Sequence, residues 1–217
     1  MLHTKESLGT GRSMQSNAVQ PSDVYFSADV ETDGPIPGPY SMLSFALVLA
    51  GRFDGRAFTR PTHADHLYKE LKPISDDFED EALAINRLDR ARLLVEGATP
   101  AEAMSEAARW VRQVAGTGTP VLVAYPLAFD WAWLYWYFVR FADTGSPFNH
   151  SRCYDLKTAF AVKGHRLVSR AGRDELPPEL RSAAVHTHHA LEDAREQAEI
   201  FARIFEWGGD EHRRVSR

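Results

Sequence analysis

From Pro120 to Val139 the chain runs twenty residues with a single charge, Asp130. No folded protein leaves such a stretch on its surface, so it either crosses a membrane or is covered by the rest of the chain. Pro126 near its front and a carboxylate at its middle argue against insertion. A central Asp alone costs about 2.5–3.5 kcal/mol in a bilayer. The covered alternative is a buried strand over 121–125 followed by a helix from Phe129 to Phe141 that is apolar on nearly every side. That alternation of strand and helix points to a layered α/β domain.

The flanking pattern agrees with this. Val24–Val30 reads as a first strand, and Tyr40–Gly51 is a near-continuous apolar run of the kind a central strand shows. A tight turn at 53–55 leads to a third strand within Arg56–Lys72, giving an antiparallel meander. The period then changes. Phe78–Asn86 looks helical, and Thr99-Pro100-Ala101-Glu102 is a capping box opening a helix to about Ala115. A last strand is expected around Arg152–Leu156. The final helix starts near His189, with Leu191, Ala194, Ala198, Phe201 and Phe205 on one face.

At 217 residues, 44% hydrophobic and 25% charged, the chain has enough core for one domain over 23–208. Residues 1–22 read as a flexible leader and 209–217 as a polar tail. The leader lacks the apolar core of a signal peptide, so the expectation is a cytoplasmic protein without a membrane span. Cys153 is the only cysteine, which excludes an internal disulfide and a Cys-rich zinc site. A net charge of −5 counts against a passive nucleic-acid coat. It is neutral for an enzyme that grips nucleic acid through carboxylate-bound cations.

The chemistry-bearing residues fall at three places. Asp29 and Glu31 end the first strand, on the same side and about 6.5–7 Å apart. Such a pair either shares divalent cations or is solvated just beyond the strand end. Asp130 is the only acid between Val121 and Phe141, and it suits either a metal-facing role or a helix cap. His188 and Asp193 lie five apart, so both can reach into one cleft from the start of the last helix. His186, His188 and His189 are clustered, and a histidine metal site is the rival reading there.

Taken together, DVETDGP, AFDW and HHALEDA resemble the DEDDh exonuclease superfamily. Softer similarity (LKP at 71–73, EALAIN at 81–86, TPAEA at 99–103, CYDL at 153–156) extends over most of 23–207. The resemblance implies a ribonuclease H-like three-layer domain. Its central mixed sheet has about five strands, an antiparallel meander and then parallel strands, flanked by helices. It places the family's first motif on Asp29 and Glu31, its second on Asp130 after Phe129, and its third on His188, Ala190 and Asp193. Two Mg2+ or Mn2+ ions are then expected on Asp29, Glu31, Asp130 and Asp193, with His188 as general base. The implied activity is 3′–5′ removal of 5′-mononucleotides from single-stranded nucleic acid with a free 3′ end, RNA slightly favoured. A DNA-directed exonuclease and a catalytically silent binding module are the alternatives. Homodimer formation is left open.

Thr32, Gly34, Phe129, Arg166 and Arg170 are the candidate substrate contacts. The GPIPGP loop at 34–39 either cups a terminal nucleotide or is a rigid turn. Lys157, Lys163, Arg166, Arg170, Arg173 and Arg181 form either a phosphate-contacting flap or a solvated loop. The aromatic residues of 131–137 suit core or a subunit interface better than base stacking. Asp155 reads as structural. Many relatives carry His-Asn shortly before Phe-Asp, where this chain has Tyr125-Pro126.

Overall fold

The computed structural model describes residues 21–63 and 65–209; most of the expected leader and all but the first residue of the expected tail lie outside them. β1 (Asp23–Thr32) and β2 (Met42–Phe53) pair antiparallel, with Asp29 opposite Ala46 and Glu31 opposite Ser44. The expected third strand is two pieces, β3 (Phe58–Thr59) and β4 (His66–Glu70), each antiparallel to β2. Pro61, between them, has no N–H to donate to a ladder.

Three helices follow, α1 (Asp80–Asn86), α2 (Arg90–Glu96) and α3 (Pro100–Ala115). α3 starts on the anticipated box: the Thr99 side chain accepts from Glu102 N, and the Glu102 carboxylate accepts from Thr99 N. β5 (Thr119–Ala124) joins β1 in parallel, and α4 (Leu127–Phe141) leaves it directly. The apolar window thus divides into strand and helix. Among the described residues no helix is long and apolar enough to cross a membrane. β6 (Cys153–Asp155) pairs parallel with β5, and α5 (Leu156–Lys163) and α6 (Ala190–Glu206) complete the domain. The sheet order is β3-β2-β1-β5-β6, with β4 also on β2. This is the expected ribonuclease H-like mixed sheet between helical layers.

Strand parity sets what each face carries. Val24, Phe26, Ala28 and Val30 pack with Met104, Ala107 and Val111 of α3 and Trp133 and Tyr137 of α4. Tyr25, with Val121 and Val123 of β5, packs on the opposite side against Phe160 of α5 and Phe201 and Ile204 of α6. Asp29 shares the parity of Tyr25, which sends its carboxylate toward α6. That parity is why the last helix supplies a partner for the first strand.

Candidate active site

At the end of β1, Asp29 and Glu31 are both buried, and Asp193 in the first turn of α6 has no exposed surface. One carboxylate oxygen from each lies within 4.8 Å of the others. Gln197, one turn beyond Asp193, donates to Asp29 Oδ1 at 2.9 Å and to Ala28 O at 3.3 Å, fixing the acid's orientation. Asp193 is held by the residues just before its helix: Thr187 N reaches Oδ1 and His188 N reaches Oδ2, each at 2.8 Å.

Asp130 arrives from the other layer. β1 outruns β5, whose pairing stops at Ser27 opposite Val123, so the N–H of Val30 has no strand partner on that edge. Asp130 Oδ1 accepts it at 3.1 Å from the first turn of α4. Four acids therefore meet in one small, largely dry volume. Burial, and then repulsion from Asp130, Glu31 and Asp193, push the Asp29 carboxyl well above the ordinary range. Burial and the charges of Asp193 and Asp130 push Glu31 up to about 8. Burial raises Asp130 to about 7, with Arg173 and the Val30 N–H acting against it.

Asp29, Glu31 and Asp130 line a cleft of 640 Å³, and Asp193 is buried against them. One wall is Thr32, Gly34 and Pro35. Another is Ile85 and Phe129, both with exposed apolar side chains. Lys157, Arg173, His186 and His188 close it from the loop side. Thr32 Oγ1 donates to Gly34 O at 2.8 Å, so its hydroxyl shapes the wall. A Cβ on Gly34 would lie 2.1 Å from the Tyr40 ring, which gives that glycine a packing reason as well.

Two candidate contacts lie elsewhere. Arg166 sits over the Phe160 ring at 4.9 Å, and Arg170 faces Glu175 at 3.7 Å; neither lines the cleft. Lys163 donates to the last carbonyls of α6, Ile204, Phe205 and Trp207. Of the basic stretch, Lys157 and Arg173 face the acids. His189 stacks on Tyr68 with centroids 5.0 Å apart and does not line the cleft. Asp155 accepts from Leu127 N and Thr158 N, both at 2.7 Å, tying the starts of α4 and α5 together.

Gln197 and Glu196 were not among the residues expected at the site. Gln197 carried a signal, since i+4 from Asp193 lies on the same helix face. Arg173 was expected only as one member of the basic stretch, and it opens a short 3-10 turn over Arg173–Glu175. There it donates to Glu196 Oε2 at 3.1 Å and to Tyr125 O at 3.2 Å, with its guanidinium over the Tyr125 ring.

No protein-family model matches the chain. Over 184 residues it is 34% identical to an Escherichia coli protein named 3′-5′ DNA exonuclease Cap18, covering 84% of this chain and 91% of that one. The nuclease domain of 3′hExo, a DEDDh family member bound to rAMP, superposes with a TM-score of 0.63 at 10% identity, covering 88% of this chain and 94% of that one. The cell-death related nuclease CRN-4 gives 0.60 at 14% identity, with 87% and 64% covered. E. coli exonuclease I in complex with a dT13 oligonucleotide gives 0.55 at 16% identity; this chain is 91% covered but spans only 43% of that one.

A ribonuclease H-like domain with buried acids at the end of its first strand defines the class: a nuclease that cleaves phosphodiesters. The chain belongs to the DEDDh 3′–5′ exonucleases. Membership carries nucleic acid as the bound polymer, and Asp29, Glu31 and Asp193 form an acidic cluster that could hold a divalent ion.

Proposed function

We propose that the chain removes nucleotides one at a time from the free 3′ end of single-stranded DNA, releasing 5′-mononucleotides. The observation that carries this reading is the convergence of Asp193 on Asp29 and Glu31, two acids that line a cleft whose near wall follows Glu31 by only a few residues. The expectation that came with the family resemblance put RNA slightly ahead of DNA. The 34% identical relative is named a DNA exonuclease, and that moves DNA to first place.

The donor set fits hard divalent cations. It consists of buried carboxylate oxygens whose crowding raises their affinity for positive charge. Asp29, Glu31 and Asp193 would hold two Mg2+ or Mn2+ ions, with Asp130 contributing. When bound, the ions neutralise charge on the phosphodiester and lower the pKa of water beside it.

The remaining work belongs to the chain. His188 lines the cleft beside Asp193 and takes a proton from the attacking water as general base. Lys157 and Arg173 meet the phosphates from the loop side, and Phe129 and Ile85 offer apolar faces to the terminal base. In this reading the wall from Thr32 to Pro35 stops the strand just past the cleaved bond.

The test uses one oligonucleotide, linear and circularised, as DNA and as RNA, in Mg2+. Linear DNA should be shortened nucleotide by nucleotide from the 3′ end, and the circle should resist. Cleavage of the circle would refute exonuclease action. Faster digestion of linear RNA would put RNA back ahead of DNA.

A further inference from the structure

Asp193 belongs to two donor sets. The first is the oxygen set shared with Asp29 and Glu31. The second is His186, His188 and Asp193, with one imidazole nitrogen from each histidine and one carboxylate oxygen within 4.8 Å of each other. We propose that this second set is a separate site for a borderline transition cation, Zn2+ foremost, and that its filling shuts the enzyme off. The binding claim stands on these residues alone; the shut-off rests on the roles proposed above for His188 and Asp193.

Local backbone creates the set. His188 adopts φ 58°, a left-handed conformation uncommon outside glycine, asparagine and aspartate. That turn brings the rings of His186 and His188 together, with centroids 4.6 Å apart. Side chains two apart in an extended strand would be about 6.5–7 Å apart at their bases. His186 Nδ1 lies 3.1 Å from Asp193 Oδ2, so imidazole and carboxylate are already in contact. Both histidines are exposed to the cleft, which gives an ion an entry path and water for a remaining position. Glu196 Oε2 also approaches His186 Nδ1, at 3.4 Å.

Ligand chemistry separates the two sets. Mg2+ and Mn2+ favour oxygen donors, whereas two imidazoles with one carboxylate suit Zn2+ with an open fourth position. The sets cannot both be satisfied, because they share Asp193. A Zn2+ ion on the nitrogen set also occupies the lone pair with which His188 would accept a proton. Arg173, which contacts His186 Nδ1 and Glu196, opposes any cation there and keeps the site reversible.

The experiment titrates ZnCl2 into the full chain in excess Mg2+ by calorimetry, and in parallel follows the visible absorption of Co2+ as a spectroscopic substitute. One Zn2+ per chain should bind despite the Mg2+. Co2+ should show bands of a low-coordinate site with nitrogen ligands, and the C2 protons of two histidines should broaden in the proton spectrum. Magnesium-dependent digestion should stop as Zn2+ fills the site. His186→Gln should weaken Zn2+ binding and inhibition at least ~10-fold while digestion in Mg2+ continues. Zn2+ affinity unchanged in His186→Gln would place the ion on the carboxylates and overturn the proposal. Histidine resonances untouched by Co2+ in the unsubstituted chain would overturn it without any variant. A chain that binds Zn2+ as described but digests nothing would refute the exonuclease reading and leave the site standing.

Discussion

Glu31→Gln should make the metal-free protein more stable at pH 8 and leave its stability at pH 4.5 nearly unchanged. The reasoning starts from the folded carboxyl, raised from 4.5 to about 8 by burial and by its neighbours Asp193 and Asp130. Below pH 4.5 the group is protonated whether the chain is folded or not, and it contributes no penalty. As pH climbs from 4.5 toward 8, the unfolded chain releases the proton and the folded chain keeps it. Folding therefore loses about 1.4 kcal/mol per pH unit across that window, an upper bound near 4 kcal/mol at pH 8. Rearrangement among the coupled acids and water entry should absorb about half, which leaves ~2 kcal/mol for glutamine to recover. For a chain of this size that is a rise in Tm of about 4–8 °C.

The assay is thermal unfolding in chelator at several pH values from 4.5 to 8, with and without Mg2+. The original chain should lose stability steadily across this range, and the variant should lose less. Added Mg2+ should restore the original chain at pH 8 and do little for the variant, because the ion's benefit is linked to the same carboxylate. Equal stabilisation by glutamine at pH 4.5 and pH 8 would refute the argument, since it would locate the gain in packing instead of charge.

Three further outcomes test neighbouring parts of the structure. His188→Ala should cut the rate of digestion by about 10²–10⁴ while the stabilisation by Mg2+ persists, and His189→Ala, stacked away on Tyr68, should be mild. Lys163→Met should lower stability by about 1.5–3 kcal/mol, read as a shifted urea midpoint at constant slope, because it strips the C-terminal carbonyls of α6 of a charged donor. Tyr125→Phe should cost about 1–3 kcal/mol by leaving the buried Ala171 carbonyl without its 2.7 Å donor, and it should lower turnover by loosening the loop that carries His188.

Long periodic segments were readable from residues alone; of the short ones, α1, β5 and β6 were anticipated, and α2 and α5 were not. β1, β2, α3, α4 and α6 each repeat a period for enough residues to declare a strand or a buried helix face. α2 and α5 span seven and eight residues, too few turns for an apolar stripe to stand out. Their remaining signals were the capping acids Asp89 and Asp155, whose side chains accept from Arg92 N and Thr158 N. The acids of the site were legible for the same reason as the long elements. Strand parity aims Asp29 toward α6, and a helix start aims Asp193 back. The cations were not. Charge density picked out Arg166 and Arg170, yet density does not say where a loop turns its side chains, and Arg173 is the arginine that faces the cleft.

The placement of Tyr125 is explained by the same parity. Val121, Val123 and Tyr125 alternate onto the face of β5 that packs with α5 and α6. From there the Tyr125 hydroxyl reaches Ala171 O, its carbonyl accepts from Arg173, and its ring lies under the guanidinium. All three contacts run to the loop between α5 and α6, and Arg173 continues the chain of contacts to Glu196. Glu196 sits one turn past Asp193 on α6. The loop bearing His186 and His188 is thus fastened at one end to the central sheet and at the other to the helix that supplies the shared carboxylate. A tyrosine here anchors the histidine loop, so placement of His188, the proposed general base, depends on the end of a strand that holds none of the four acids.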